Sequence, residues 1–79
     1  MNYHKRIIVN PKVMVGKPVV AGTRITVELI LKLLAQGVTV DELVSKKYYP
    51  HLKKEDVYAA IEYAGERMKE EKVYPLNAR

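Results

Sequence analysis

The sequence predicts a mainly α-helical fold, with three helices behind a short N-terminal β-segment, and three features support this prediction. Two short β-branched runs come first, bounded by turn-forming Gly, Asn and Pro residues. From Val27 onward the apolar residues recur at helical spacing. A capping box at residues 39–42 and a proline at position 50 then divide the helical part.

The β-segment covers residues 6–21. Its two runs, residues 6–9 and 18–21, are separated by a loop that begins with Asn10-Pro11. A two-stranded ribbon is barely stable alone, so it should pack on the helices or pair with a second copy of the chain.

The first helix is predicted at about residues 27–36, with Thr26 as its N-cap and Gly37 as its C-cap. Its polar residues form one narrow stripe: Glu28, Lys32 and Gln36. Because the rest of the helix is apolar, it should lie centrally in the fold. So small a domain cannot cover it easily, which predicts a homodimer or a bound partner.

The second and third helices are predicted at about residues 40–48 and 54–72. Thr39 and Glu42 form the capping box of the second helix, and the residue before Pro50 is pushed out of the helical region. The third helix has one apolar face that we expect to point inward: Val57, Ala60, Ile61, Ala64 and Met68.

The length of 79 residues indicates a single domain over residues 1–79, ending in a tail at 73–79 that Pro75 breaks. The chain has no cysteine, and its two histidines, His4 and His51, are far apart, so we expect no disulfide, metal or cofactor. No apolar run approaches the roughly 20 residues that span a bilayer, and no signal peptide is apparent, which predicts a cytoplasmic protein without membrane contact.

The formal net charge of +5 is unevenly distributed. Residues 1–27 contain five bases and no acid, and residues 43–54 contain four lysines and no acid. Residues 55–72 contain six acids against three bases, a net charge of −3. Two basic zones before an acidic helix suit a polyanion such as nucleic acid, although small basic proteins often have merely a solvated surface.

Enzymatic motifs are absent from the sequence, which has no nucleophile elbow, phosphate loop or HExxH pattern. Glu55 and Asp56 begin the third helix, where acids commonly oppose the helix dipole. We therefore expect a non-enzymatic protein. Tyr63 is expected to pack, while packing and base stacking both stay open for Tyr58. Arg24 is either a phosphate contact or a pin for the strand–helix corner.

Three stretches together resemble one known family. Residues 16–27, GKPVVAGTRITV, closely resemble the GKPVIxGTRIxV signature of the domain-of-unknown-function four-three-three family. Residues 36–43, QGVTVDEL, and 49–64, YPHLKKEDVYAAIEYA, are similar to its inter-helix turn and its YPxLTxEDVxAALxYA segment. Val15 stands where many members have a glycine, and Lys53 where they usually have a capping threonine.

The resemblance implies a homeodomain-like helix-turn-helix core and a role similar to that of VapB-type antitoxins. Such proteins bind double-stranded DNA, repress their own operon and neutralise a PIN-like ribonuclease toxin encoded beside them. Two alternatives stay open: a protein-interaction module that binds a nuclease without binding DNA, and an RNA-binding accessory protein.

In a helix-turn-helix protein the second helix crosses the DNA backbone and the third enters the major groove. The expected DNA contacts come from the two basic zones and the third helix: Lys17, Thr23, Arg24, Lys46, Lys47, Lys53, Lys54 and Tyr58. The expected protein-partner contacts are the apolar residues of the tail: Val73, Tyr74 and Leu76.

Overall fold

The computed structural model of the chain describes residues 5–69. It contains two strands, β1 (Ile7–Val9) and β2 (Pro18–Val20), followed by three helices, α1 (Val27–Ala35), α2 (Val40–Leu43) and α3 (Lys54–Met68). The predicted fold class is therefore confirmed: a mainly helical chain with three helices behind a short β-segment.

The two strands form an antiparallel hairpin that rests on the helices. The register pairs Ile7 with Val20 and Val9 with Pro18, and a single bridge joins Val19 to Thr26. Ile7 and Val20 point to the same face because they are directly opposite, and both are buried in the main core. The helices thus support the ribbon, which is the first of the two arrangements expected from its low intrinsic stability.

The core lies where α1, α2 and α3 meet beneath the hairpin. Ile30 of α1, Leu43 of α2 and Val57 of α3 are fully buried. Ala59 and Ala60 are also fully buried, and such short side chains let α3 approach its neighbours closely.

The first helix matches its prediction closely. The hydroxyl of Thr26 accepts the backbone N–H of Leu29, so Thr26 is the N-cap, and Gly37 follows the helix with φ +97°. The polar stripe of Glu28, Lys32 and Gln36 is exposed along its length. The narrow stripe therefore marks the solvent side of α1.

The second helix is much shorter than predicted. It ends at Leu43 and not near residue 48, because the Ser45 hydroxyl donates to the Glu42 carbonyl at 2.6 Å. That side-chain bond competes with the backbone bond that would continue the helix. Residues 44–53 then connect α2 to α3, a longer link than the turn of roughly three to four residues in many helix-turn-helix motifs.

The inward face of α3 differs from the predicted one in two positions. Val57 and Ala60 are buried and Ala64 packs against the core, but Ile61 is 43% exposed and Met68 is 61% exposed. The reason is that Asp56 and Ala59 are also buried, so the buried side of α3 is turned toward these two residues. Ile61 therefore lies outside the buried side. The last predicted helical residues lie outside the described part.

None of the helices between residues 5 and 69 is long and apolar enough to cross a membrane.

Val15 holds an unfavourable backbone conformation at the tip of the hairpin. Its φ and ψ are +57° and +37°, the left-handed region, and the residue is 93% exposed. That conformation costs a β-branched residue about 1–2 kcal/mol, and no packing compensates for it. We expect Val15→Gly to raise the free energy of unfolding by about 0.5–1 kcal/mol in urea titrations, after the entropic cost of glycine is subtracted.

Gly22→Ala is the matched control for that prediction. Gly22 has φ +78°, and an added Cβ would meet nothing within 4 Å, so only the backbone term changes. It should destabilise the chain by about 1 kcal/mol. A loss of stability in Val15→Gly would show that the left-handed conformation carries no strain there.

Candidate nucleic-acid interface

The turn between β2 and α1 projects Arg24 into solvent. The Thr23 hydroxyl donates to the Val20 carbonyl at 2.8 Å and accepts the Ile25 N–H at 3.0 Å, which commits Thr23 to holding the turn. Arg24 is exposed, and its guanidinium makes no hydrogen bond or ion pair within residues 5–69. Within residues 5–69, Arg24 therefore does not stabilise the turn between β2 and α1 through its guanidinium, and the charge of that group is available to a ligand.

The start of α3 lies against the open end of the hairpin. Asp56 Oδ2 accepts the backbone N–H of Lys53 at 3.0 Å, and Asp56 Oδ1 accepts Arg6 Nη1 at 2.9 Å. The Arg6 carbonyl in turn accepts the Ala21 N–H at 2.7 Å, three residues before Arg24. This chain of bonds places Arg24 and Lys53 at the same end of the molecule.

The Arg6–Asp56 ion pair was not predicted from the sequence, because the two residues are 50 positions apart. A local signal was nevertheless present. Lys53 has no side-chain acceptor and cannot cap α3, while an acid occupies the third helical position, from which it can reach back to the N-cap N–H. A buried acid in that place also requires a cationic partner.

Three of the lysines predicted to contact DNA are instead paired with acids of the same chain. Lys17 Nζ lies 3.1 Å from Glu28 Oε1, and Lys54 Nζ lies 2.7 Å from Asp41 Oδ1. Lys47 Nζ lies 3.6 Å from a carboxylate oxygen of Glu42. All these side chains are exposed or half-exposed, so each pair is weak, but each places a negative charge beside the cation.

Glu42 and Lys54, which belong to two of these ion pairs, have shifted pKa values. The backbone N–H of Thr39 holds the pKa of Glu42 below its usual value, and the charge of Lys47 adds to that effect. The hydrogen bond and charge of Asp41 raise the pKa of Lys54 above its usual value. Both shifts favour the charged forms of Glu42 and Lys54.

The remaining predicted cations, Lys46 and Lys53, resemble Arg24. Both are exposed, and neither forms an ion pair among the described residues. Lys46 belongs to the loop after α2, where the neighbouring Lys47 Nζ also lies 5.8 Å from the centre of the Tyr48 ring. Arg24, Lys46 and Lys53 are hereafter called the free cations, meaning the predicted DNA contacts that form no ion pair among the described residues.

Tyr58 and Tyr63 have different environments on α3. Tyr63 is half-buried against the core, as predicted, whereas Tyr58 is 46% exposed. Tyr58 shares its exposed face with Ile61 and Met68, and Glu55 is also exposed nearby on the helix. The outer face of α3 is therefore apolar and acidic, which suits a protein surface better than a DNA groove.

Within residues 5–69, no group of three or more His, Cys, Asp or Glu could hold a metal ion. The predicted partner contacts Val73, Tyr74 and Leu76 lie outside the described residues.

Lys53 offers a way to separate stability from binding. Lys53→Thr supplies a hydroxyl that can accept an N–H of the first turn of α3, so we expect a gain of about 0.5–1 kcal/mol in the free energy of unfolding. The same change removes a free cation and should make the salt dependence of DNA binding less steep by about one unit. Urea unfolding and duplex titrations measure the two effects. Equal or tighter DNA binding by the variant would contradict the assignment of Lys53.

Comparisons with known proteins place the chain in a family. A similar solved structure is the crystal structure of a DUF433 member protein from Anabaena variabilis ATCC 29413, with 31% identity and a TM-score of 0.75. The match covers 82% of this chain and 62% of that one, so this chain spans less than two thirds of that relative's length. Comparison with curated proteins gives no match. The family model described as "Protein of unknown function (DUF433)" matches residues 7–64, and the chain therefore belongs to the DUF433 family.

Proposed function

We propose that this chain is a DNA-binding antitoxin that contacts the phosphate backbone mainly through its free cations. The observation that carries this proposal is the contrast between two sets of basic residues. Arg24, Lys46 and Lys53 have no acidic partner within residues 5–69, whereas the other predicted lysines each face a carboxylate. Exposed cations without partners can release counterions from DNA, and this release drives binding to a polyanion.

The outer face of α3 shifts the expected DNA contact toward the hairpin end. A recognition helix should present base-reading groups near its start, but exposed Glu55, which forms no ion pair within residues 5–69, would meet the negative phosphate walls of the groove. Arg24 can instead bridge phosphate oxygens bidentately. This arrangement favours phosphate contacts, which position the protein on DNA, rather than base contacts, which read the sequence.

Duplex titrations across a salt series test the proposal. A labelled random-sequence DNA duplex should bind with a log K that falls with log salt at a slope of about −3, since each of three phosphate contacts contributes about −0.9. Absence of salt-dependent duplex binding would overturn the proposal in favour of a protein-interaction module. Tighter binding to RNA single strands of the same sequence would favour an RNA-binding accessory protein.

The antitoxin part of the proposal rests on the family resemblance and on the apolar residues of the tail, Val73, Tyr74 and Leu76. We expect the partner to be a PIN-like ribonuclease and its contact to include the tail. Deleting residues 73–79 should weaken neutralisation of the ribonuclease encoded beside this gene and leave DNA binding largely intact. Full neutralisation by the truncated chain would contradict a role for the tail.

A homodimer is also part of the proposal. Tyr58, Ile61, Gly65 and Met68 are spaced by three, four and three residues, the pattern of a helix–helix seam, and all are exposed. A Cβ added at Gly65 would meet nothing within 4 Å, which leaves room for a second helix. Light scattering should give about twice the 9.1 kDa of one chain at high micromolar concentration. A clean monomer would contradict it.

A further inference from the structure

An apolar groove of about 580 Å³ lies between α1 and α3, and the contacts proposed above do not use it. Its floor consists of Val27 and Leu31 from α1 and of Tyr63 and Ala64 from α3. The groove is open to solvent along its length, so it can accept a segment of chain. Its apolar floor favours an occupant with apolar side chains.

The rim of the groove selects for charge. Lys32 is exposed there and makes no ion pair within the described part of the chain. Glu28 is also on the rim, but Lys17 neutralises it at 3.1 Å. The uncompensated rim charge is thus positive, and it favours an occupant that carries acids beside its apolar groups.

The described chain stops close to this groove. Arg67 lines it, and Lys69 is the last described residue. From Ala64 to Lys69 the helix rises only about 8 Å. The chain from Lys69 to Leu76, when fully extended, spans up to about 25 Å, which is ample to return to the groove.

The sequence after Lys69 has the chemistry that the groove requires. Glu70 and Glu71 come first and can face the positive rim. Residues 73–76, Val-Tyr-Pro-Leu, then supply three apolar side chains on a segment in which proline disfavours helix. The order of the acidic and apolar residues, the length of this segment and its negative charge are all compatible with binding in the groove.

We propose that residues 73–76 bind in the α1–α3 groove of their own molecule. The apolar residues of the tail are then covered in the free protein, and a partner that binds them has to displace them from the groove. The groove is therefore an internal competitor for any protein that recognises the tail. This inference concerns the free chain and does not depend on DNA binding.

Cross-linking in the full chain tests the proposal directly, because the chain contains no cysteine. Glu28→Cys combined with Asn77→Cys places one thiol on the rim and one just beyond the apolar segment. A short bismaleimide should join them within one molecule at least about tenfold faster than in a control pair, Val15→Cys with Asn77→Cys, because docking raises the effective concentration. Val15 is at the hairpin tip and 93% exposed, so it reports only random encounters.

Charge reversal provides a second measurement. Lys32→Glu should slow the intramolecular cross-link several-fold, whereas Lys46→Glu, an equal change away from the groove, should leave it unchanged. If circular dichroism shows that the Glu28→Cys pair is unfolded, Pro18→Cys with Asn77→Cys takes its place, since Pro18 also lines the groove and carries no charge. Equal rates in the groove and hairpin pairs overturn the proposal. A product of twice the chain mass overturns it as well, since the groove then holds the tail of a second copy.

Discussion

Replacing the three free cations together, in an Arg24→Ala/Lys46→Ala/Lys53→Ala variant, is expected to remove most of the affinity for duplex DNA. The slope of log K against log salt should become less steep by about three units, since each lost phosphate contact contributes about one. The physical reason is that these cations have no acid beside them within residues 5–69. Fluorescence anisotropy of a labelled duplex across a salt series measures both affinity and slope.

A second triple variant provides a control of equal charge. Lys17→Ala/Lys47→Ala/Lys54→Ala also removes three positive charges, but each of these lysines is paired with an acid. If overall charge alone drives binding, the two variants will lose equal affinity. If the free cations form the interface, the paired set will retain a steep salt dependence. Equal losses would therefore contradict the proposed interface, provided that both variants show the circular dichroism spectrum of the parent.

Leu43→Ala should have the largest effect on stability. Leu43 is fully buried and is the only residue of the one-turn helix α2 buried in the core. Truncating such a leucine costs about 2–5 kcal/mol, because it removes apolar contacts and leaves a cavity. Domains of this size have only about 4–12 kcal/mol of stability to lose. We expect a large fall in the urea midpoint of unfolding, measured by circular dichroism.

Val44→Ala is the matched control for Leu43→Ala, since it alters the next residue, which is only half-buried. Its loss should be about 1 kcal/mol. If Val44→Ala proves more damaging than Leu43→Ala, α2 is attached to the core by a different residue from the one assigned here.

The sequence predicted the elements whose signals are local. Thr26 starts α1 and the Thr39–Glu42 capping box starts α2, because each of these signals acts within one helical turn. By contrast, the C-cap of α1 is Gln36, and the predicted Gly37 is the left-handed residue that follows it. The end of α2 was wrong because one hydroxyl, that of Ser45, takes the Glu42 carbonyl. Helical periodicity carries no information about such a side-chain competitor.

The candidate interface was predicted less completely, since charge depends on neighbours that are distant in sequence. The basic zones indicated which residues were cationic, but Glu28 and Asp41 neutralise Lys17 and Lys54 only in the folded chain. The outward position of Ile61 likewise depends on how α3 rotates around its buried alanines. Both features depend on tertiary contacts, which local patterns in a single sequence do not reveal.

The Arg6–Asp56 ion pair has a consequence for communication within the molecule. It joins Arg6, the residue before β1, to the first turn of α3 across 50 positions of sequence, so the open end of the hairpin is tied to the start of the third helix. If DNA binds at the hairpin end and a protein partner binds on α3, as proposed above, this ion pair is one contact through which each binding event can change the affinity for the other. By thermodynamic linkage the two binding free energies change by the same amount. Asp56→Asn removes the carboxylate charge while Ile7 stays packed in the core with α3, so it is expected to weaken such coupling without separating the hairpin from the helix.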